Sequence, residues 1–82
     1  MTPFDRAILL VGSKAKLAKA CHVSPQAASQ WDPDLLPLYV CPMIERATGG
    51  RVRVEALRPE TEWLRAKSGQ VAGYVVRVGK AA

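Results

Sequence analysis

The thirteen residues KACHVSPQAASQW, Lys19 to Trp31, constrain the fold more than any other stretch. A short apolar helix stops at His22, turns through Val23 and restarts at once on Ser24-Pro25. The restart follows from the residue types, since serine is a strong N-cap and proline fits the first helical position. Two helices joined by so short a turn cannot lie antiparallel. They cross steeply, and one is left projecting from the fold.

Length and charge set the frame around this corner. Eighty-two residues give one small core with no room for a second, and 49% hydrophobic residues are enough to build it. The longest apolar run, Ala7-Ile8-Leu9-Leu10-Val11, is far short of a membrane span and carries no signal-cleavage pattern. A cytoplasmic chain without a membrane partner is expected, with Cys21 and Cys41 reduced and behaving as small buried hydrophobes. The net charge of +5 is unevenly spread. Residues 1–31 carry +3, residues 32–62 carry −2, and residues 63–82 carry four cations and no carboxylate. A basic front and tail around an acidic middle fit one face that meets a polyanion, although solvated lysines give the same pattern.

Local signals divide the rest of the chain. Thr2-Pro3-Phe4-Asp5 starts a first helix whose inward face is Phe4, Ala7, Ile8 and Val11, and Gly12 ends it. Ser13 caps a second, with Leu17, Ala18 and Cys21 inward and Lys14, Lys16 and Lys19 in water. The third starts at Ser24-Pro25 and is expected to run to about Trp31, where Asp32-Pro33-Asp34 breaks the chain. Pro42 opens a fourth over 43–48, with Ile44 and Ala47 inward and Gly49-Gly50 as its stop, and residues 55–58 add one more turn. The period then changes from helical to alternating. Residues 62–65 and 71–78 flank a Lys67-Ser68-Gly69-Gln70 turn and are expected to pair as a hairpin, Ala66 with Val71, Arg65 with Ala72 and Trp63 with Tyr74. The expected fold is mainly α: four to five short helices over residues 1–60, then a hairpin or tail over 61–82 that can serve dimerisation.

The projecting helix now has a use. Ala18 is small where two helices must approach closely. His22 occupies a turn position that often needs φ > 0, which histidine tolerates less well than glycine. Val23 plugs the turn, and Ala28 and Trp31 anchor the third helix inward. Gln26, Ala27, Ser29 and Gln30 are left on an outer face without charge. Such a face suits the major groove of duplex DNA, where glutamine can bond both edges of adenine, serine several bases and alanine a thymine methyl. Lys14, Lys16, Lys19 and the amides around Ser24 would then hold phosphates. A helical corner serving only protein packing is the alternative.

The stretches LAKACHVSPQAASQW and CPMIERATGGRVRVEALRPETEW, both within residues 14–63, resemble the Cro-like, YdaS-type helix-turn-helix regulators of bacterial phages and prophages. The second stretch is the more specific: a short helix IERATGG, an extended piece, then LRPE and a tryptophan. The resemblance implies a lambda-repressor-like DNA-binding domain in a bacterial host. It would act as a Cro-type repressor or an antitoxin-like autoregulator, with a toxin or phage regulatory protein as a further partner. Two positions depart from the family pattern. His22 stands where glycine is usual, and Val40 stands where arginine is expected before Cys41, which removes one backbone contact or salt bridge.

Other chemistries find no support in the residues. Cys21, His22 and Cys41 do not offer a four-ligand zinc site at any usual spacing, and no cofactor motif is present. A single histidine, no glycine-rich phosphate loop and no nucleophile–base pair argue against an enzyme. Glu60 and Glu62 are expected to be solvated, and the aromatics are too scattered to stack single-stranded bases. The expectation is a homodimer that binds a double-stranded operator and blocks it. A protein-interaction module for an acidic partner is the competing reading.

Overall fold

The computed structural model describes residues 1–75 as five short helices followed by a two-stranded antiparallel hairpin. The first helix, α1 (Pro3–Val11), begins with a reciprocal cap. The Asp5 amide donates to the Thr2 hydroxyl, and the Asp5 carboxylate accepts from the Thr2 amide, each at 3.1 Å. These bonds to Thr2 hold the Asp5 carboxyl below its ordinary range. Ser13 and Ser24 cap α2 (Lys14–Ala20) and α3 (Pro25–Ser29), each hydroxyl accepting a backbone amide at 3.1 Å. All three starts lie where the capping residues place them.

Helix α2 is the hub, packing on α1, α3 and α4 (Cys41–Ala47), while α5 (Val54–Leu57) closes the ring between α4 and α1. Phe4, Ala7, Leu17, Cys21, Leu36, Val40, Cys41, Ile44, Val52, Val54 and Leu57 form one buried cluster. Both cysteines are free thiols within it, and burial pushes the Cys41 thiol up to about 12, so it stays protonated and inert. None of the described helices is long and apolar enough to cross a membrane.

Four local expectations need correction. Helix α3 ends at Ser29 with Gln30 as its C-cap, so Trp31 lies beyond it. Trp31 still turns inward and packs edge-on against Phe4, ring centroids 5.9 Å apart. Helix α4 starts at Cys41, two residues before Met43, because a proline in the first turn has no amide that the helix would need. Helix α5 spans Val54–Leu57, one residue ahead of the expected 55–58. At the end of α4, Ala47 is exposed and the C-cap Thr48 is buried instead. The Thr48 hydroxyl donates toward the carbonyls of Ile44 and Glu45 and accepts from the Val52 amide, all at 3.1 Å. A buried hydroxyl with every bond made costs little, and here it folds the chain back toward α5.

The hairpin pairs β1 (Glu62–Arg65) with β2 (Val71–Val75), and Trp63 faces Tyr74 as expected, their rings 5.4 Å apart. Below that pair the register slips. Arg65 faces Val71 rather than Ala72, and Ala66 bonds to Gln70, so Ala72 is the extra residue of a bulge. The expected continuation of the second strand over 76–78 lies outside the described residues.

The hairpin is fastened to the helices by Arg65. Its guanidinium donates to both oxygens of Glu45 at 2.7 and 2.9 Å and to both of Glu55 at the same two distances. Glu45 also accepts the Val54 amide at 3.0 Å, so one carboxylate joins α4, the start of α5 and the hairpin. Pairing with Arg65 lowers the pKa of Glu45 and brings that of Glu55 down to about 2. The segment between α3 and α4 is fixed from the same side. The Arg58 guanidinium pairs with Glu60 and donates to the Leu36 carbonyl, while the Arg58 carbonyl accepts the Trp63 indole N–H at 3.1 Å. These contacts account for the LRPE-and-tryptophan stretch.

Candidate nucleic-acid interface

The corner between α2 and α3 is built by a six-residue cap. The Val23 amide donates to the Ala18 carbonyl at 3.0 Å and the His22 amide to the Lys19 carbonyl at 3.1 Å, which places His22 in the left-handed region at φ 59°. Among the described residues His22 alone, glycines aside, has a positive φ. The same cap ends α4, with Gly49 at φ 64° in the position that His22 fills here. Ala18 is fully buried where α2 and α3 meet, Val23 packs against the core, and Ala28 is buried beneath α3. The turn-and-core set therefore occupies the places its residue types require.

Above that foundation α3 presents Pro25, Gln26, Ala27, Ser29 and Gln30 to solvent. Gln26 and Gln30, four apart, share one outward side, flanked by Ser29 and Ala27. Both glutamine amides are without a partner among the described residues, so each keeps donor and acceptor together. Ser29 differs, because its hydroxyl proton is already given to the Gln26 carbonyl at 2.8 Å. Toward an outside group Ser29 can only accept. Ser24 is the reverse: its oxygen accepts from Ala27, and its proton is free to donate.

The lysines of α2 are exposed but not equivalent. At about 100° per residue, Lys16 and Lys19 lie together on the side opposite Leu17, Ala18 and Cys21. Lys14 stands over that buried stripe, at the first position of the helix and close enough to Asp5 to help lower its carboxyl pKa. Lys16 bends back toward Gly12, whose missing side chain leaves room for its aliphatic stem.

Sequence reasoning missed two features beside this face. Val40, the position of an expected arginine, is fully buried, so it belongs to the core and no surface contact is lost there. Beyond the end of α3 the exposed Asp32 and Asp34 form a turn, the Asp34 amide donating to Asp32 Oδ1 at 2.9 Å. No lysine or arginine occurs from Ala20 to Glu45. The next cation in sequence, Arg46, lines a shallow pocket with Ala20 and His22 at the same corner.

Comparison with known proteins agrees with the resemblance carried by the two quoted stretches. The family model described as "Bacterial toxin YdaS" matches residues 4–66, which takes in all five helices and the first hairpin strand. "Putative transcriptional regulator YdaS" of Escherichia coli (strain K12) is 42% identical over 62 residues, which is 73% of this chain. The chain spans 63% of that relative's length. No solved structure matches it. The matched span contains the α2–α3 corner, the double glycine after α4 and the Arg58–Trp63 latch, and the chain belongs to the YdaS family.

Proposed function

We propose that this chain is a transcriptional regulator that reads duplex DNA with α3 and works in the cytoplasm of a bacterial host. The observation that carries the reading is the pairing of an uncharged, donor-and-acceptor face on α3 with exposed lysines on the helix that crosses it. Gln26 and Gln30 are the base readers, with Ala27 against a thymine methyl and Ser29 accepting from an adenine or cytosine amino group. Lys16, Lys19 and the Ser24 hydroxyl hold phosphates and set the register, with Lys14 a weaker contributor. Bound this way at an operator, the protein blocks transcription as a Cro-type repressor or as an antitoxin-like control of its own operon. The name of the E. coli relative supports a regulator, while the family's description names a bacterial toxin rather than an antitoxin. One recognition helix touches too few base pairs for tight specific binding, so two copies act on a pseudo-palindromic site.

The test is selection of bound fragments from a random duplex pool, followed by affinity measurements at fixed salt. A recovered two-fold symmetric motif, bound at least a hundredfold more tightly than random duplex, is the expected result. Recovery of no motif would favour an acidic protein partner for the basic face.

A further inference from the structure

We propose that the shallow pocket between the α2–α3 turn and α4 is a phosphate-binding site, in which His22 and Arg46 hold one backbone phosphate of the DNA. Its place in DNA binding rests on the reading above; its capacity to take a phosphate group does not. The pocket, about 170 Å³, is lined by Ala20, His22, Met43, Arg46 and Ala47, with no carboxylate among them. His22 and Arg46 are exposed, and neither side chain has a hydrogen-bond or ion-pair partner among the described residues. On its other side Arg46 borders a second groove, toward the hairpin turn, where the one carboxylate is Glu45. Glu45 is already spent, because Arg65 takes both of its oxygens and the Val54 amide shares one. The Arg46 guanidinium therefore keeps its whole fork of donors, which suits the paired oxygens of a phosphate. The imidazole adds an N–H from a second element.

Backbone strain singles out the histidine. His22 sits at φ 59°, whereas the same cap on α4 is made by Gly49 at φ 64°. Glycine serves such a turn without a steric cost, so the turn does not account for the ring. A strained side chain that is exposed and shares a pocket with an unpaired arginine points to a ligand. Arg46 by itself has a simpler explanation, since a cation in the last turn of α4 complements the helix end. The pair does not.

Both α2 and α4 finish beside the pocket, and bare carbonyls there would oppose an anion. Most are taken. The Leu17, Ala18 and Lys19 carbonyls accept amides of the first cap, and those of Ile44, Glu45 and Arg46 accept amides of the second. Position also fits the DNA reading. His22 lies two residues before Ser24, whose hydroxyl proton is free for a phosphate. Backbone contacts then come from α2, from the start of α3 and from α4 around one corner.

The full chain and its Arg46→Gln, Arg46→Lys and His22→Gly variants are compared on the selected operator and on random duplex over a range of salt. Arg46→Gln is expected to lower the salt slope by roughly 1 and to weaken both duplexes about fivefold at physiological salt. Arg46→Lys keeps the slope, because its charge is retained. His22→Gly is expected to weaken both duplexes about threefold although its urea midpoint rises, a combination that a purely structural histidine does not produce. A second arm omits DNA and titrates inorganic phosphate at constant ionic strength, following amide resonances. Shifts centred on residues 20–23 and 43–48 in the wild type, and lost in Arg46→Gln, are expected. Those shifts with duplex binding unchanged in the variants would overturn the DNA role and assign the site to a free phosphate ester. No operator selected, with Arg46→Gln still weakening random duplex, would keep the site and sink the base reading. Unchanged duplex binding together with no phosphate shifts at the pocket would overturn the proposal.

Discussion

The α2–α3 corner and the α4–α5–hairpin half treat charge in opposite ways. In the corner Lys16 and Lys19 point to solvent with no ion-pair partner among the described residues, and α3 carries no charge at all. In the other half Arg65 is held by Glu45 and Glu55, and Arg58 by Glu60. The same contrast appears in the helix caps, where α4 ends on Gly49 and α2 ends on a strained His22. One half uses Arg58 and Arg65 to hold itself together. The other keeps Lys16 and Lys19 free, and a surface of free cations and unpaired amides is what a polyanion with readable edges would meet.

If that division is real, its halves should break separately. The largest effect belongs to Arg65→Ala, which leaves the Glu45 carboxylate, 15% exposed, with one backbone bond and only the weaker field of Arg53. Allowing for the half-exposed Glu55, a loss of about 1–3 kcal/mol is expected from the urea midpoint. Preference for operator over random duplex should survive in whatever fraction stays folded. The same clamp predicts the pH dependence. Folding lowers the pKa of both Glu45 and Glu55, so their contribution is complete above the unfolded carboxylate value of about 4.3. It is lost as pH falls through the folded values, which for Glu55 is about 2. Stability measured from pH 6 downward should therefore fall through the acid range, and Arg65→Ala should flatten that fall.

A smaller effect is expected at the corner. His22→Gly puts glycine where the backbone already sits at φ 59° and should stabilise the fold by on the order of 1 kcal/mol in the same titration. A loss of stability would show that the imidazole makes a contact worth more than the strain. The smallest changes are those of single lysines. Neutralising Lys16 or Lys19 should weaken binding to every duplex and reduce the salt slope by roughly 1, and Lys14, beside Asp5, should change it less. Equal slopes for all three variants and wild type would remove α2 from the interface.

How far the sequence foretold this contrast depends on the reach of the interactions. Caps are local, so Thr2, Ser13 and Ser24 gave the starts of three helices, and His22 gave the left-handed turn. The Trp63–Tyr74 pair set the hairpin register wherever the alternation was regular. The bulge at Ala72 was not legible, because nothing in a run of small residues marks where one falls out of step. Thr48 displaced Ala47 because a buried threonine needs hydrogen bonds that periodicity does not count. The Arg65 clamp joins residues ten and twenty positions apart, and Glu45 and Glu55 resemble any solvated carboxylates until the fold brings them together. Of the candidate site, the composition of the α3 face could be read directly. The unequal lysines and the acidic turn beyond Gln30 needed the packing of α1 on α2 and the geometry of the segment after α3.

The central claim is that Gln26 and Gln30 read bases. It is tested most directly by comparing Gln26→Ala and Gln30→Ala with wild type on the selected operator and on random duplex, at one salt concentration. Each substitution is expected to cost about 1–3 kcal/mol on the operator and little on random DNA. Equal losses on both duplexes, or no loss on either, would contradict the claim.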